Sequence, residues 1–167
     1  AISLFMFAIY KIPGLIADVV LVIYGFLVLA SLSLVGSTLT LPGIAGFILT
    51  LGMAVDANVI TFERIKEEMG KGYSIEDSVA KGFENGLPAI IDGNLTTLLI
   101  AAVLFSFGTG PVRGFAVTLS LGVMITMLTA IFITKLFMRF VISTFHIKKE
   151  KLFWGGINDA KFESDTL

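Results

Sequence analysis

Residues Leu41–Arg64 read LPGIAGFILTLGMAVDANVITFER, an apolar run with Asp56 and Asn58 set inside it. About 20 apolar residues in a row suffice to cross a bilayer as a helix. In hydrocarbon every backbone polar group must be satisfied within the segment, so a run of this length is helical or not in the membrane. A carboxylate inside it costs on the order of 3 kcal/mol or more, so Asp56 marks either a function or a packing contact with a neighbouring helix.

The rest of the chain follows the same pattern. It is 56% hydrophobic in 167 residues and holds 15 Phe, above the usual apolar share of soluble domains. The excess falls in blocks, which gives an all-α polytopic membrane bundle. The net charge of −1 comes with no basic stripe of the kind nucleic acid requires. Zero cysteines exclude disulfides, thiolate metal sites and cysteine nucleophiles. The one histidine, His146, lies beyond the last apolar run, so neither a membrane-embedded Ser-His-Asp triad nor a multi-histidine metal site is expected. There is no phosphate-binding loop motif. The chain reads as a non-enzyme.

In order, Ala1–Tyr10 covers about 15 Å as a helix, half a bilayer, and is expected to be the end of a helix cut in its middle. Lys11-Ile12-Pro13-Gly14 is a turn, and Leu15–Leu34 the first complete span. Asp18 falls in the first turn of that span, where the helix dipole favours an anion. Val35–Thr40 is a polar turn. In the central helix Gly43 and Gly46 share a face, which lets another backbone come close. Glu63–Met69 continues that helix into water, and Gly70 and Gly72 end it. Ser74 and Asp77 form a helix start. Ile75, Val79 and Phe83 then make one apolar face, giving a short amphipathic helix that Gly86 ends, with Pro88 opening the next span. Pro88–Phe107 carries Asp92, Asn94, Thr96 and Thr97 near its start. Gly108–Pro111 is a turn, and Gly114 to about Phe140 the last span. The expected organisation is therefore a bundle over 1–144, with a polar loop over 63–87, and a charged tail over 145–167. It holds four complete spans and the end of a fifth.

Charge sets the orientation. With alternating spans, Lys11, Arg64, Lys66, Lys71, Lys81, Lys135, Arg139, Lys148, Lys149, Lys151 and Lys161 fall on one side, leaving only Arg113 of the 12 basic residues for the other. The Lys/Arg-rich side is cytoplasmic by the positive-inside rule, so the 63–87 loop and the tail are expected on the cytoplasmic side of a multi-pass membrane protein.

Asp56 lies eight residues before Arg64, about 12 Å into the membrane from the aqueous boundary. Its own helix offers no nearby cation. A carboxyl held there can take a proton from one side and give it to the other. Asp92, about five residues into its span, is expected shallower and wetter. Asn58 and Asn94 need partners in a bilayer, and so are expected to tie helices together or line a wet cavity. An aspartyl protease would need both carboxylates around one water. The unequal depths, and the strings Met53-Ala54-Val55-Asp56 and Ala89-Ile90-Ile91-Asp92, argue against it.

Four strings together resemble the SecD/SecF family of bacterial protein-export membrane proteins. They are Leu41–Gly46 (LPGIAG), Ala54–Val59 (AVDANV) with Phe62–Ile65 (FERI), Asp92–Thr97 (DGNLTT), and Gly108–Pro111 (GTGP) with Gly114–Ala116 (GFA). The Asp-Ala-Asn form is that of the SecD branch, and Gly93 stands where a second Ala would be expected. The resemblance implies six helices per subunit, of which this chain holds the end of the second through the sixth, and a large outer domain upstream. It makes the membrane the bacterial inner one. It implies pairing with SecF as a pseudo-symmetric bundle and action on preproteins leaving the SecYEG channel. The coupling ion would be the proton, with no other cofactor. Asp56 would be the proton-pathway residue, faced by the Asp92–Thr97 region, with a basic partner from SecF. Asp92 itself reads as either a second relay site or an interfacial or packing residue, while Asn58, Asn94, Thr96 and Thr97 line the path or pack helices. The family is related to the resistance-nodulation-division transporters, so a proton-coupled small-molecule exporter of that superfamily and a non-conducting scaffold of the translocon are the alternatives.

Overall fold

A computed structural model describes residues 2–36 and 40–145, with side chains described over 6–36 and 40–144. The expected tail over 145–167 lies, beyond Phe145, outside the described residues. All the regular structure described is helical: α1 (Ile2–Leu34), α2 (Leu41–Gly70), α3 (Ile75–Phe107), α4 (Gly110–Leu128), a π turn (Thr129–Ile133) and α5 (Thr134–Phe145). Four helical stretches are long and apolar enough to cross a membrane: Met6–Leu34, Leu41–Gly70, Ile75–Phe107 and Gly110–Thr144.

α1 is interrupted where the turn was expected. Lys11 has φ 45° and ψ −108°, a left-handed backbone that is costly for a side chain with a Cβ. Gly14 follows because a Cβ there would meet the Met6 carbonyl oxygen at 2.2 Å. Thr40 caps α2, its hydroxyl accepting from the Gly43 N–H at 3.2 Å, with Pro42 in the first turn. α2 ends at Gly70, and Gly72 takes φ 86° in the connection. Ser74 caps α3, accepting from the Asp77 N–H at 3.2 Å and donating to Asp77 Oδ2 at 2.7 Å.

One expectation is overturned. The amphipathic helix and the span after it are a single helix, α3, which passes through Gly86 and Pro88 without a break. The backbone bond lost at Pro88 is the one to the carbonyl of Glu84. Both residues are exposed, so that carbonyl can bond to water. Gly86 is buried and sits against Thr61, so it serves packing and not termination. Val79 and Phe83 are buried, and Ile75 packs against the same cluster, with Phe62 and Ile65 of α2 and Met138 and Ile142 of α5. The amphipathic face thus closes the end of the bundle.

α2 is the axis. It makes its most extensive contacts with α4 and then with α3. On the α4 side a Cβ on Gly43 would meet Thr118 Oγ1 at 3.2 Å and one on Gly46 would meet Phe115 at 3.3 Å. On the α3 side a Cβ on Gly82 would meet the Ile65 backbone at 2.7 Å. Between lipid-solvated helices, close packing of this kind is the main attraction. Gly82→Ala should therefore lower stability by about 1–3 kcal/mol through forced separation of the helices. Gly25→Ala, where a Cβ would meet nothing within 4 Å, should be neutral or stabilising by up to about 1 kcal/mol. Thermal unfolding in detergent distinguishes the two.

Candidate functional site: the Asp56 surface

The antiparallel contact of α2 and α3 sets the level of each polar residue. Gly82 meets Ile65 and Gly86 meets Thr61, while Ala57 and Ile90 share a cluster. This register puts Asp56 level with Ile91, and hence with Asp92 to within a residue. The unequal depths expected for the two carboxylates are thus corrected. α3 begins at Ile75, so Asp92 lies about 25 Å along it rather than in its first turns. Asp56 lies about 21 Å from the end of α2 at Gly70.

Both carboxylates are exposed, on the outer surface of the bundle. Neither has a hydrogen-bond or ion-pair partner among the described residues. Gly52 on α2 and Gly93 on α3 are exposed on that surface too, and a Cβ on either would meet nothing within 4 Å. Asp56 is therefore not enclosed by the described residues. Thr96 is exposed and Thr97 half-buried, and each donates to its own helix, to the carbonyls of Asp92 and Gly93, at 3.0 Å. In this state their hydroxyl protons are committed locally.

The two asparagines turn inward. Asn58 is 3% exposed, and its Oδ1 accepts from the Thr134 hydroxyl at 2.9 Å, tying α2 to α5. Asn94 is 6% exposed; its Nδ2 donates to the Ile90 carbonyl at 2.7 Å, and its Oδ1 is buried without a partner among the described residues. Asp56 and Asn58 are two positions apart, about 200° around the helix. α2 thus presents its carboxylate outward and its amide to the core.

At the Lys/Arg-rich end, Glu68 is buried and accepts from Lys71 and from Asn85 Nδ2, the latter at 3.1 Å, which joins α2 to α3. The Glu68 carboxylate, hydrogen-bonded to Lys71, holds the Lys71 ammonium above the ordinary lysine range. The Arg113 Nε lies at the opposite end, donating to the Phe105 carbonyl at 3.1 Å. Among the described residues no group of three or more His, Cys, Asp or Glu side chains could hold a metal.

Sequence reasoning singled out none of the last-span hydroxyls, yet Thr134 is the partner of Asn58. It also passed over Tyr24 and Thr126, both fully buried. Asp18, expected in the first turn of a span, is half-buried, and its Oδ1 has no partner among the described residues.

A bundle of membrane-length helices, with carboxylates exposed at mid-helix, defines a class: polytopic membrane proteins. The family described as protein export membrane protein SecD/SecF, C-terminal, matches residues 1–144. The chain belongs to this family, in its SecD branch. It is 65% identical over 155 residues to the protein translocase subunit SecD of Leptotrichia buccalis, covering 93% of this chain and 38% of that protein. It is 47% identical over 148 residues to that of Pseudomonas aeruginosa, covering 89% of this chain and 24% of that protein. The crystal structure of SecDF from Thermus, described as a translocon-associated membrane protein, superposes with a TM-score of 0.85 at 43% identity, covering 89% of this chain and 21% of that one. The chain thus spans well under half the length of these relatives.

The Asn58–Thr134 contact gives an asymmetric prediction. Thr134→Val strands a buried Asn58 oxygen and should cost about 1–2 kcal/mol. Asn58→Leu leaves the Thr134 hydroxyl its other acceptor, the Thr129 carbonyl at 3.1 Å, and should cost less. Denaturation of the two variants side by side in detergent checks the order.

Proposed function

We propose that this chain is the membrane part of an accessory subunit of the Sec preprotein translocase, which uses the proton-motive force to promote export. Asp56 takes up and releases the proton. The observation that carries this reading is the placement of Asp56: mid-helix on the central helix of the bundle, exposed on the outer surface, and without a partner among the described residues. A carboxylate at that depth is tolerated against lipid only at high cost, so the surface is one that a second bundle covers. The named relatives point to SecF as that bundle, supplying a basic group to Asp56 and a water-free setting. Asp92, at the same level, is a second proton site or a stabiliser of the first. Asn58 and Asn94 hold the core behind it, and Thr96 and Thr97 line the approach. No cofactor other than the proton is required. The SecYEG channel and the emerging preprotein are the working partners, engaged through parts of the full-length protein outside this chain.

In this reading protonation removes the charge that binds Asp56 to its basic partner. Two packings of the paired bundles, nearly equal in energy, then exchange in relative population. The Lys/Arg-rich end, with residues 63–87 and the tail, faces the cytoplasm.

Two measurements test the proposal. Inner-membrane vesicles carrying the full-length protein, with and without a proton gradient, should show that Asp56→Asn removes the gradient-dependent part of preprotein translocation while insertion and pairing with SecF persist. Asp92→Asn should reduce it by less. Stimulation that survives Asp56→Asn would make Asp56 a packing residue. The chain has no cysteine, so single cysteines report sidedness without background. One replacing Lys81 should react with a membrane-impermeant thiol reagent from the cytoplasmic side alone, and one replacing Arg113 from the outside alone.

A further inference from the structure

The last helical run carries a feature that the proton-site reading does not use. From Thr126 onward its buried residues include a set that recurs every four positions, Thr126, Ala130, Thr134, Met138 and Ile142, with Thr129 buried beside it. A regular α-helix turns about 100° per residue, so four steps of four drift by about 160° and would carry the set off the packed face. The π turn at Thr129–Ile133 corrects this. It holds about one residue more than an α turn and recovers roughly 100° of the drift. The Thr134 N–H consequently bonds to the Thr129 carbonyl, five residues back. The Thr134 hydroxyl has two acceptors within reach, Asn58 Oδ1 at 2.9 Å and the Thr129 carbonyl at 3.1 Å. It has one proton to give. Met138 and Ile142, just beyond, share a cluster with Met6, Tyr10, Ile16, Ala17 and Val20 of α1.

We propose that the π turn is the hinge by which α2 moves the end of the last helix, with the Thr134 hydroxyl as its latch. In one state the hydroxyl donates to Asn58 and α5 is held to α2. In the other it donates only to its own helix at Thr129, the extra residue shifts along the run, and α5 turns against α1. Asn58 is two residues from Asp56 on the same rigid helix, so a displacement of α2 at its outer surface reaches the latch directly. This inference rests on Asp56 as the proton site; Thr134 and Asn58 act as positioning residues and exchange no proton with it. A helix with one extra residue has nearly equivalent registers available, which is the bistability that a two-state motion needs.

Deleting Phe132 tests this. Its side chain is 65% exposed and lies within the π turn. The deletion removes the extra residue, so the run becomes a regular helix while Thr134, Met138 and Ile142 keep their phase. In vesicles with the full-length protein and SecF, translocation without a gradient should be unchanged. The gradient-dependent increment should fall about tenfold, the size of an ordinary coupling between sites. An increment within about twofold of wild type, in a protein that still pairs, overturns the hinge. Should the deletion fail to insert, Thr134→Val and Thr134→Ser decide: the hinge requires loss of the increment in the first and its retention in the second, and equal behaviour overturns it. Asp56→Asn in the same vesicles separates the two proposals. If it abolishes the increment and the Phe132 deletion does not, the hinge alone falls. If Asp56→Asn retains the increment, the proton-site reading falls and takes the link to Asp56 with it.

Discussion

Close approach of helix backbones through glycine underlies this structure. Hydrocarbon solvates leucine as well as another leucine does, so apolar side chains give helices little reason to associate in a membrane. Contact area at short range has to supply it. α2 gains that contact on two sides: at Gly43 and Gly46 against α4, and at Gly82 and Gly86 of α3. Gly122 of α4 repeats the device, since a Cβ there would meet Thr50 Oγ1 at 2.4 Å. These contacts fix the level of α3 relative to α2, and with it the level of Asp92 relative to Asp56. The proposed proton site is thus set by packing some distance from either carboxylate.

The two sides of α2 do different work. Its inner side carries Thr50, Ala54, Ala57, Asn58, Thr61 and Ile65, all buried. Its outer side carries Gly52 and Asp56, both exposed. A stably packed inner side leaves the outer one free to bear a group that is unfavourable in lipid. In the proposed reading the cost of that group is offset by a partner bundle, so the subunit's association and its proton chemistry share one surface.

Much of this was legible in the sequence. The run around Asp56, the turn at Lys11–Gly14, the cap at Ser74 and the Gly43/Gly46 contact face follow from hydropathy and local rules. The continuity of α3 did not, because Gly86 and Pro88 are stop signals by local rules. What overrides them is tertiary: Thr61 packs on Gly86, and Pro88 falls where the freed carbonyl can reach water. The misplaced depth of Asp92 followed from that one error. Whether Asp56 points outward could not be read from one chain, since residues on both sides of a membrane helix are apolar. The Thr134 contact was hidden among several hydroxyls of equal standing. The recurrence of four from Thr126 to Ile142 was the available signal, and it becomes visible only once burial is known.

The uninterrupted length of α3 has a mechanical meaning. At 33 residues it is a rod of about 50 Å. Its first turns are polar and its last are apolar, and the stretch from Ser78 to Asn94 holds most of its buried positions. A stiff rod held along one part of its length acts as a beam on a pivot. A tilt of roughly 5° displaces one end by about 4 Å relative to the other over that length. Had Gly86 and Pro88 broken the helix, that displacement would have dissipated in a loop. As built, a small tilt of the held stretch is carried undivided to the free end of the rod at Phe107.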